Sequence, residues 1–503
     1  MPTIDSSLRS SAARVPDREA LVFADRTYTY RELDEHVGRV AGVLLDRGVG
    51  KGDRLALLAK NSDRFVITFY AAQRLGAIFV PVNPASAAPE IDYIVRDSGA
   101  SVLVMDPSFE TIVGGVLPES VSQLTLGPAD RLDDLLTLAA GWDGDAVDVG
   151  VDEFDDCEIL YTSGTTGNPK GALFDHHRVI WIAMSTIGNC GFAEGERILH
   201  VAPLYHSAEL NLFIVAGTLL GATHVVHPGF DPAAVLDTLE RERITAFFGV
   251  PTMYQFLLRQ PGIADRDLSA WRVGTFGAAP MPPTAVELLI ATLPGVRFVQ
   301  LCGQTEAGPG GIFSDHEQVR ARPDANGHQG GLYTECRIVD ADGNDTAPGE
   351  AGEMVLRSEM VMKEYWNKPE ATASTIVEGW LHTGDVCIVD EDGYITLVDR
   401  LKDMIITGGR NVYSIEVEQA AAGHPAILDV AVIGRPHPDY GESIVAVVTL
   451  APDTALELDE LREFLGGRIA TYKLPHDLMV VEAIPRNPSG KILKRELRKQ
   501  LVD

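Results

Sequence analysis

A chain of 503 residues with 45% hydrophobic and 7% aromatic side chains has an ordinary globular make-up and the length for two or more domains. Forty-two Lys and Arg against 72 Asp and Glu leave a formal charge of −30, which excludes generic nucleic-acid binding and requires any polyanion site to be built from local basic clusters. Cys157, Cys190, Cys302, Cys336 and Cys387 show no metal-ligand spacing, and no signal core or apolar run of membrane length is found, so a reduced, cytoplasmic setting without a transmembrane segment is expected.

Thr29 and Glu32 form a capping-box pattern, and Leu33, Val37, Val40 and Leu44 follow at helical spacing up to Gly48. Short apolar strands are expected over 54–59, 77–82 and 101–105, with a helix over 63–75 closed by Gly76. Such alternation predicts a mainly parallel, helix-covered sheet. The acidic stretch 114–150 reads as an irregular surface connection. A strand over 157–161 feeds the run Tyr161-Thr-Ser-Gly-Thr-Thr-Gly-Asn-Pro-Lys-Gly171. A helix over 175–187 follows, then a strand over 197–202 that delivers Pro203-Leu-Tyr-His-Ser-Ala-Glu-Leu210. Strands over 223–226 and 246–249 flank a helix over 232–241, giving a second α/β unit. Turn signals such as Asp342-Gly343 and Pro348-Gly349 mark a small β-rich subdomain near 327–353. A boundary falls at Asp399-Arg-Leu-Lys-Asp403, so the expected domains are 1–400 and 401–503. In the second, strands over 430–434, 444–450 and 478–482 and a helix over 459–469 read as a small α+β domain. Its basic tail is expected to be a solvated terminal helix, Lys491 excepted.

The run 161–171 places hydroxyls, glycines and one lysine in a single turn, a set suited to a triphosphate. It is not a Walker loop, because Pro169 precedes Lys170 and Gly171 follows it. The ordered pattern resembles the phosphate-binding loop of the adenylate-forming superfamily, which comprises acyl-CoA synthetases, carrier-protein-loading adenylation domains and firefly-type luciferases. The resemblance covers nearly the whole chain and is to the acyl-CoA synthetase (fatty-acid–CoA ligase) type. It implies two helix-covered sheets, a small β-rich subdomain and a mobile C-terminal lid.

The resemblance also implies roles. Thr162, Ser163, Gly164, Thr165, Thr166, Gly167 and Lys170 would cradle the phosphates of ATP. Gly303-Gln304-Thr305-Glu306 resembles the Gly-x-Thr-Glu segment, with Thr305 at the α-phosphate and Glu306 at Mg2+. Phe276-Gly277-Ala278-Ala279-Pro280 resembles the Gly-Gly-Ala-Pro strip against adenine. Ala278 replaces its second glycine, and Cys302 stands where the family usually has an aromatic residue. Asp385, in Trp380-Leu-His-Thr-Gly-Asp385, would accept from the ribose hydroxyls, with Arg400 opposite. Lys491, in Asn487-Pro-Ser-Gly-Lys-Ile, matches the catalytic lysine, Lys402 the hinge, and Gly408-Gly409 the channel for the pantetheine of coenzyme A. Arg435 and Lys473 are weaker candidates for coenzyme A phosphates. His206 matches the gate beside the reacting carboxyl. Phe213, Phe247, Phe248, Met253 and Phe276 could line an apolar acyl pocket or belong to the core. Glu209 and Asn211 either face a polar acid or face solvent.

The expected reaction has two halves: a carboxylic acid, a fatty acid being the best fit, attacks ATP to give an acyl-adenylate and pyrophosphate, and coenzyme A then displaces AMP. Two alternatives stay open. One is a ligase that loads a carrier protein's phosphopantetheine; the other is a non-catalytic nucleotide-binding protein. The oligomeric state is also open, a homodimer included.

Overall fold

The computed structural model describes residues 2–162, 168–486 and 492–500. Two large sheets form the body. In one, the strands are ordered Gly311–Ser314, Arg297–Gly303, Val273–Gly277, Ala246–Gly249, Arg197–His200, Thr223–Val226, Glu19–Phe23 and Arg26–Thr29. In the other, the order is Glu364–Tyr365, Lys170–Asp175, Asp156–Thr162, Ile78–Val82, Arg54–Leu58, Val102–Met105 and Ser122–Thr125. The inner pairs are parallel; Lys170–Asp175 turns back antiparallel on Asp156–Thr162, so the phosphate-loop sequence lies between two paired strands. Parallel strands covered on both faces read as unbroken apolar runs, and all five residues of Ile78–Val82 are buried.

The helix Tyr30–Asp46 begins where the capping box predicts: the Thr29 hydroxyl accepts from Glu32 N–H, and the Glu32 carboxylate accepts from Thr29 N–H. The helix Asp63–Arg74 is buried on almost every side, because it lies in the main core with Phe65, Phe69, Phe79, Phe174 and Phe213. A small sheet of Thr334–Val339, Ala351–Ser358, Trp380–Val389 and Ile395–Arg400 has its own core around Ile338, Met354 and Leu381. After Arg400 the strands Ile405–Thr407, Arg410–Val412, Ile427–His437, Gly441–Leu450 and Asp477–Val480 form a separate sheet with apolar clusters on both faces. The α/β fold class with a β-rich subdomain and a distinct α+β C-terminal part is therefore as expected.

Three local readings change. The stretch 114–150 is not wholly irregular: Ser122–Thr125 is an edge strand, and the helix Leu135–Ala140 buries Leu135 against the main core. The helix expected over 459–469 is Leu458–Leu465, because the backbone leaves helical geometry at Gly466. The tail helix Lys494–Gln500 is docked rather than solvated: Leu497 is fully buried against the C-terminal sheet, Lys494 pairs with Glu418 at 2.7 Å, and Arg498 pairs with Asp403 at 3.0 Å. One apolar residue and two partnered cations suffice to pin a seven-residue helix that is otherwise polar.

Candidate active site

A cavity of about 870 Å³ opens at the carboxyl ends of both parallel sheets. Ala202, Val250, Ala278 and Gln304 line it, each just beyond the end of a parallel strand of the first sheet, and so do Asn83, just beyond Ile78–Val82, and Thr162, the last residue of Asp156–Thr162, in the second. This is where open α/β sheets bind ligands, since backbone and side chains leaving the strand ends converge there.

The phosphate end is built from sequence-distant parts. Thr162 pairs with Lys170 across the hairpin. The Thr162 hydroxyl donates to Glu306 Oε1 at 3.0 Å, and the Tyr365 hydroxyl donates to the same oxygen at 2.8 Å. Lys170 Nζ lies 4.1 Å from the centre of the Tyr365 ring, a cation–π contact. Tyr365 thus links the loop lysine to the carboxylate, and burial pushes its phenol well above the usual range. Asp97 fixes the hairpin from outside: its carboxylate accepts from Tyr161 at 2.8 Å and from Lys368 at 2.8 Å. Tyr93 in turn donates to the Pro169 carbonyl at 3.2 Å. The hydroxyls of Ser207 and Thr305 are 3.1 Å apart, which orients Thr305 toward the cavity it lines. Ser163, Gly164, Thr165, Thr166, Gly167 and Lys491 lie outside the described residues. Arg486 and Leu493, on either side of Lys491 in sequence, both line the cavity.

The donor set suits Mg2+ more than a metal held by protein alone. Among the described residues no group of three His, Cys, Asp or Glu could hold a metal ion. One oxygen of the buried Glu306 is already taken by two hydroxyls. A single carboxylate beside a phosphate cradle fits an ion that keeps most of its waters and binds mainly through substrate phosphates.

On the nucleoside side, Arg400 Nε lies 2.7 Å from Asp385 Oδ1, on strands that pair Asp385 with Arg400. Asp385 N–H donates to the Thr383 hydroxyl at 3.1 Å, which itself donates to the Met354 carbonyl at 2.6 Å, so the backbone that carries the carboxylate is fixed. Gly303, Ala278 and Arg400 line the cavity, whereas Gly277, Ala279, Pro280, Cys302 and Asp385 stand behind or beside it. Gly277 is demanded by packing, because a Cβ there would come within 2.2 Å of the Leu301 carbonyl oxygen. Ala278 has φ +66°, the left-handed region that glycine occupies without strain. Cys302 packs against the core of the β-rich subdomain, and burial pushes its thiol up to about 12, which argues against a reactive role.

On the acyl side the cavity is bounded by Tyr205, His206, Ala208, Phe248, Val250 and Met253. Phe213, Phe247 and Phe276, expected as pocket residues, do not line it. Phe213 is buried in the main core and stacks on Phe248 at 5.0 Å. Phe247 and Phe276 lie in the second core with Tyr254 and Trp271. Adjacent residues of a strand face opposite sides, so Phe248 meets the cavity while Phe247 cannot. Glu209 and Asn211 do not face solvent: both are buried. Lys402 lies on the cavity rim, while Gly408 and Gly409 form an exposed turn outside it, both with positive φ. Arg435 and Lys473 are engaged within the C-terminal part, with Asp477 at 2.8 Å and Glu416 at 2.6 Å.

Lys170, Tyr365, Glu306 and Arg400 thus share one cavity with the apolar side chains Phe248, Val250 and Met253. Residues 8–366 match the AMP-binding enzyme family, and residues 416–491 match the AMP-binding enzyme C-terminal domain. The chain belongs to the AMP-binding enzymes. A feruloyl-CoA synthase from an Amycolatopsis species is 39% identical over 485 residues, 96% of each chain. The long-chain-fatty-acid–CoA ligase FadD13 of Mycobacterium tuberculosis is 36% identical over 505 residues, 99% of each chain. ATP-bound MatB from Rhodopseudomonas palustris superposes with a TM-score of 0.92 at 30% identity, covering 100% of this chain and 99% of that one. Over its full length the chain is therefore similar to acid–CoA ligases.

Proposed function

We propose that the chain is an AMP-forming acid–CoA ligase acting on an acid with an apolar body, such as a fatty or aryl acid. The observation that carries this reading is one cavity in which Lys170, Tyr365, Glu306 and Arg400, the last paired with Asp385 behind the wall, meet the apolar side chains Phe248, Val250 and Met253. The substrate carboxylate is ionised at neutral pH, so it attacks the α-phosphorus without a protein base. Rate enhancement then comes from positioning and from charge stabilisation. Lys170 holds the departing phosphates, Thr305 the α-phosphate, and the Arg400–Asp385 pair the ribose. Glu306 would hold Mg2+, which would supply further charge neutralisation there. Lys491 stabilises the charge that develops between carboxylate and phosphate.

In the second half-reaction the thiol of coenzyme A takes the acyl group and AMP leaves. The C-terminal domain, from 401 onward, turns about Lys402 between the two steps and brings the Gly408-Gly409 turn to the cavity, where backbone without side chains leaves room for pantetheine.

The test is pyrophosphate release from ATP over a panel of fatty and aryl acids, followed by AMP and thioester formation on adding coenzyme A. Lys491→Ala is expected to abolish adenylate formation while leaving thioester formation from supplied acyl-adenylate largely intact. Equal loss of both halves would overturn the division of labour. Thioester formation only with a holo-carrier protein would replace coenzyme A as acceptor.

A further inference from the structure

A buried polar contact crosses the boundary at Arg400. Asp399, 1% exposed, stands in the strand Ile395–Arg400 of the β-rich subdomain, opposite Val386. Ser414, fully buried, opens the helix Ser414–Ala422, whose Val417 and Ala421 belong to the core of the C-terminal sheet. The Asp399 carboxylate accepts from Ser414 N–H through Oδ2 and from the Ser414 hydroxyl through Oδ1, the latter at 2.9 Å. Its Oδ1 also accepts from Arg400 N–H at 2.7 Å, which fixes it from the body side. Behind Ser414, Lys494 donates to the same hydroxyl and pairs with Glu418 at 2.7 Å, so the tail helix Lys494–Gln500 is tied to this point as well.

The contact supplies what the helix lacks. The first N–H groups of a helix have no partner within it, and the side chain just before usually provides one. Tyr413 occupies that place and makes no such bond. Asp399 makes it from across the boundary, and a carboxylate at a helix N-terminus is also favoured by the helix dipole. Asp399 precedes Lys402 by three residues and belongs to the body, whereas Ser414 is carried by the C-terminal core. A turn of that core about Lys402 parts a hydrogen bond between them unless both partners lie on the axis.

We propose that Asp399 is a positioning residue for adenylate formation. As a cap supplied from the body to the helix Ser414–Ala422, it holds the C-terminal domain in the orientation in which Lys402, Arg486 and Leu493 line the cavity, and it lets go when the domain turns for thioester formation. This rests on the ligase reading above and on its turn about Lys402. Asp399 does not line the cavity, so it acts only through where it keeps the domain. Loss of the cap lowers the share of chains in this orientation, which slows adenylate formation and spares or favours the thioester step. A general loss of stability slows both.

The experiment uses the full chain and the variants Asp399→Ala, Ser414→Pro and Ser414→Ala. Proline is well accepted at the first position of a helix, and Tyr413 already has the extended backbone that a residue before proline adopts. Ser414→Pro therefore deletes both donors and keeps the helix, while Ser414→Ala keeps the N–H. Pyrophosphate release from ATP and an acid, and thioester formation from supplied acyl-adenylate and coenzyme A, are measured separately. Asp399→Ala and Ser414→Pro are each expected to shift the ratio of the two rates toward thioester formation by about 10-fold or more, the effect of losing a hydrogen bond to a charged group, and Ser414→Ala by less. Amide exchange over residues 410–417, read without any substrate, is expected to quicken in Asp399→Ala. Should that variant not fold, Ser414→Pro decides. Equal slowing of both halves, or an unchanged ratio, overturns the positioning role. Unchanged exchange in a folded Asp399→Ala overturns the cap itself. No pyrophosphate release by the parent with any acid overturns the ligase reading beneath it, and the exchange experiment still tests the cap.

Discussion

Tyr365→Phe is the most direct test of how the phosphate end is assembled. The phenol donates to Glu306 Oε1 at 2.8 Å between two buried side chains, and Thr162 donates to the same oxygen at 3.0 Å. The variant removes one of these two donors and keeps the ring under Lys170. A hydrogen bond to a charged group contributes about 1.5–3 kcal/mol, which at about 1.4 kcal/mol per tenfold predicts a fall of about 10- to 100-fold in kcat/KM for pyrophosphate release. Because the loss acts through Glu306, the Mg2+ concentration giving half-maximal rate should rise as well. Tyr365→Leu removes the ring too, and with it a cation–π contact worth about 0.5–2 kcal/mol, so it should be slower again. Steady-state pyrophosphate release across ATP and Mg2+ titrations reads all three quantities. A Tyr365→Phe enzyme within about twofold of the parent, or a leucine variant no slower than the phenylalanine variant, would refute the linkage.

Ala278→Gly should relieve the left-handed backbone and raise stability by up to about 1 kcal/mol in urea unfolding, whereas Gly277→Ala should destabilise, because its Cβ meets the Leu301 carbonyl. Burial pushes Glu158 up to about 7 from an ordinary 4.5, against the opposing Asn211 hydrogen bond. Between those values the folded chain holds a proton that the unfolded chain has released, so this contribution is full below about pH 4.5 and is lost as pH rises through 7. It amounts to roughly 3 kcal/mol, so Glu158→Gln should gain stability relative to the parent across that window, and parallel pH profiles would contradict it. Lys494→Met leaves Glu418, whose side chain is 14% exposed, without its cation and should cost up to about 3 kcal/mol, read as lost amide-exchange protection in the strand Ile427–His437.

Much of this fold is written locally. The Thr29–Glu32 box starts its helix as read, and the apolar run at 78–82 is a fully buried parallel strand. The turn chemistry that flags the β-rich subdomain is equally local. What escapes local reading is side-chain direction and long-range partnership. Phe247 and Phe248 are equally aromatic, and only the pleat decides which meets the cavity. Tyr365 sits 59 residues from Glu306, in a two-residue strand whose position depends on pairing with Lys170–Asp175. No short motif announces it. Glu209 was visible as a polar residue near His206, but its burial depends on two histidines brought together by parallel strands.

The placement of the cavity also bears on how such a protein could change over evolutionary time. Tyr365 and Glu306, from a two-residue edge strand and a short turn, constrain each other through a shared hydrogen bond, and Arg400, from the β-rich subdomain, is tied to Asp385. The acyl wall comes from elsewhere: Val250 and Met253 follow one strand end, and Tyr205 and Ala208 follow another. A substitution at those positions alters what is admitted without breaking a hydrogen bond on the phosphate side. On the proposed reading, new substrates can be explored by drift in a few residues while the bonded side of the cavity stays fixed, and Glu209, tied to the core through His200, is the position on that wall least free to wander.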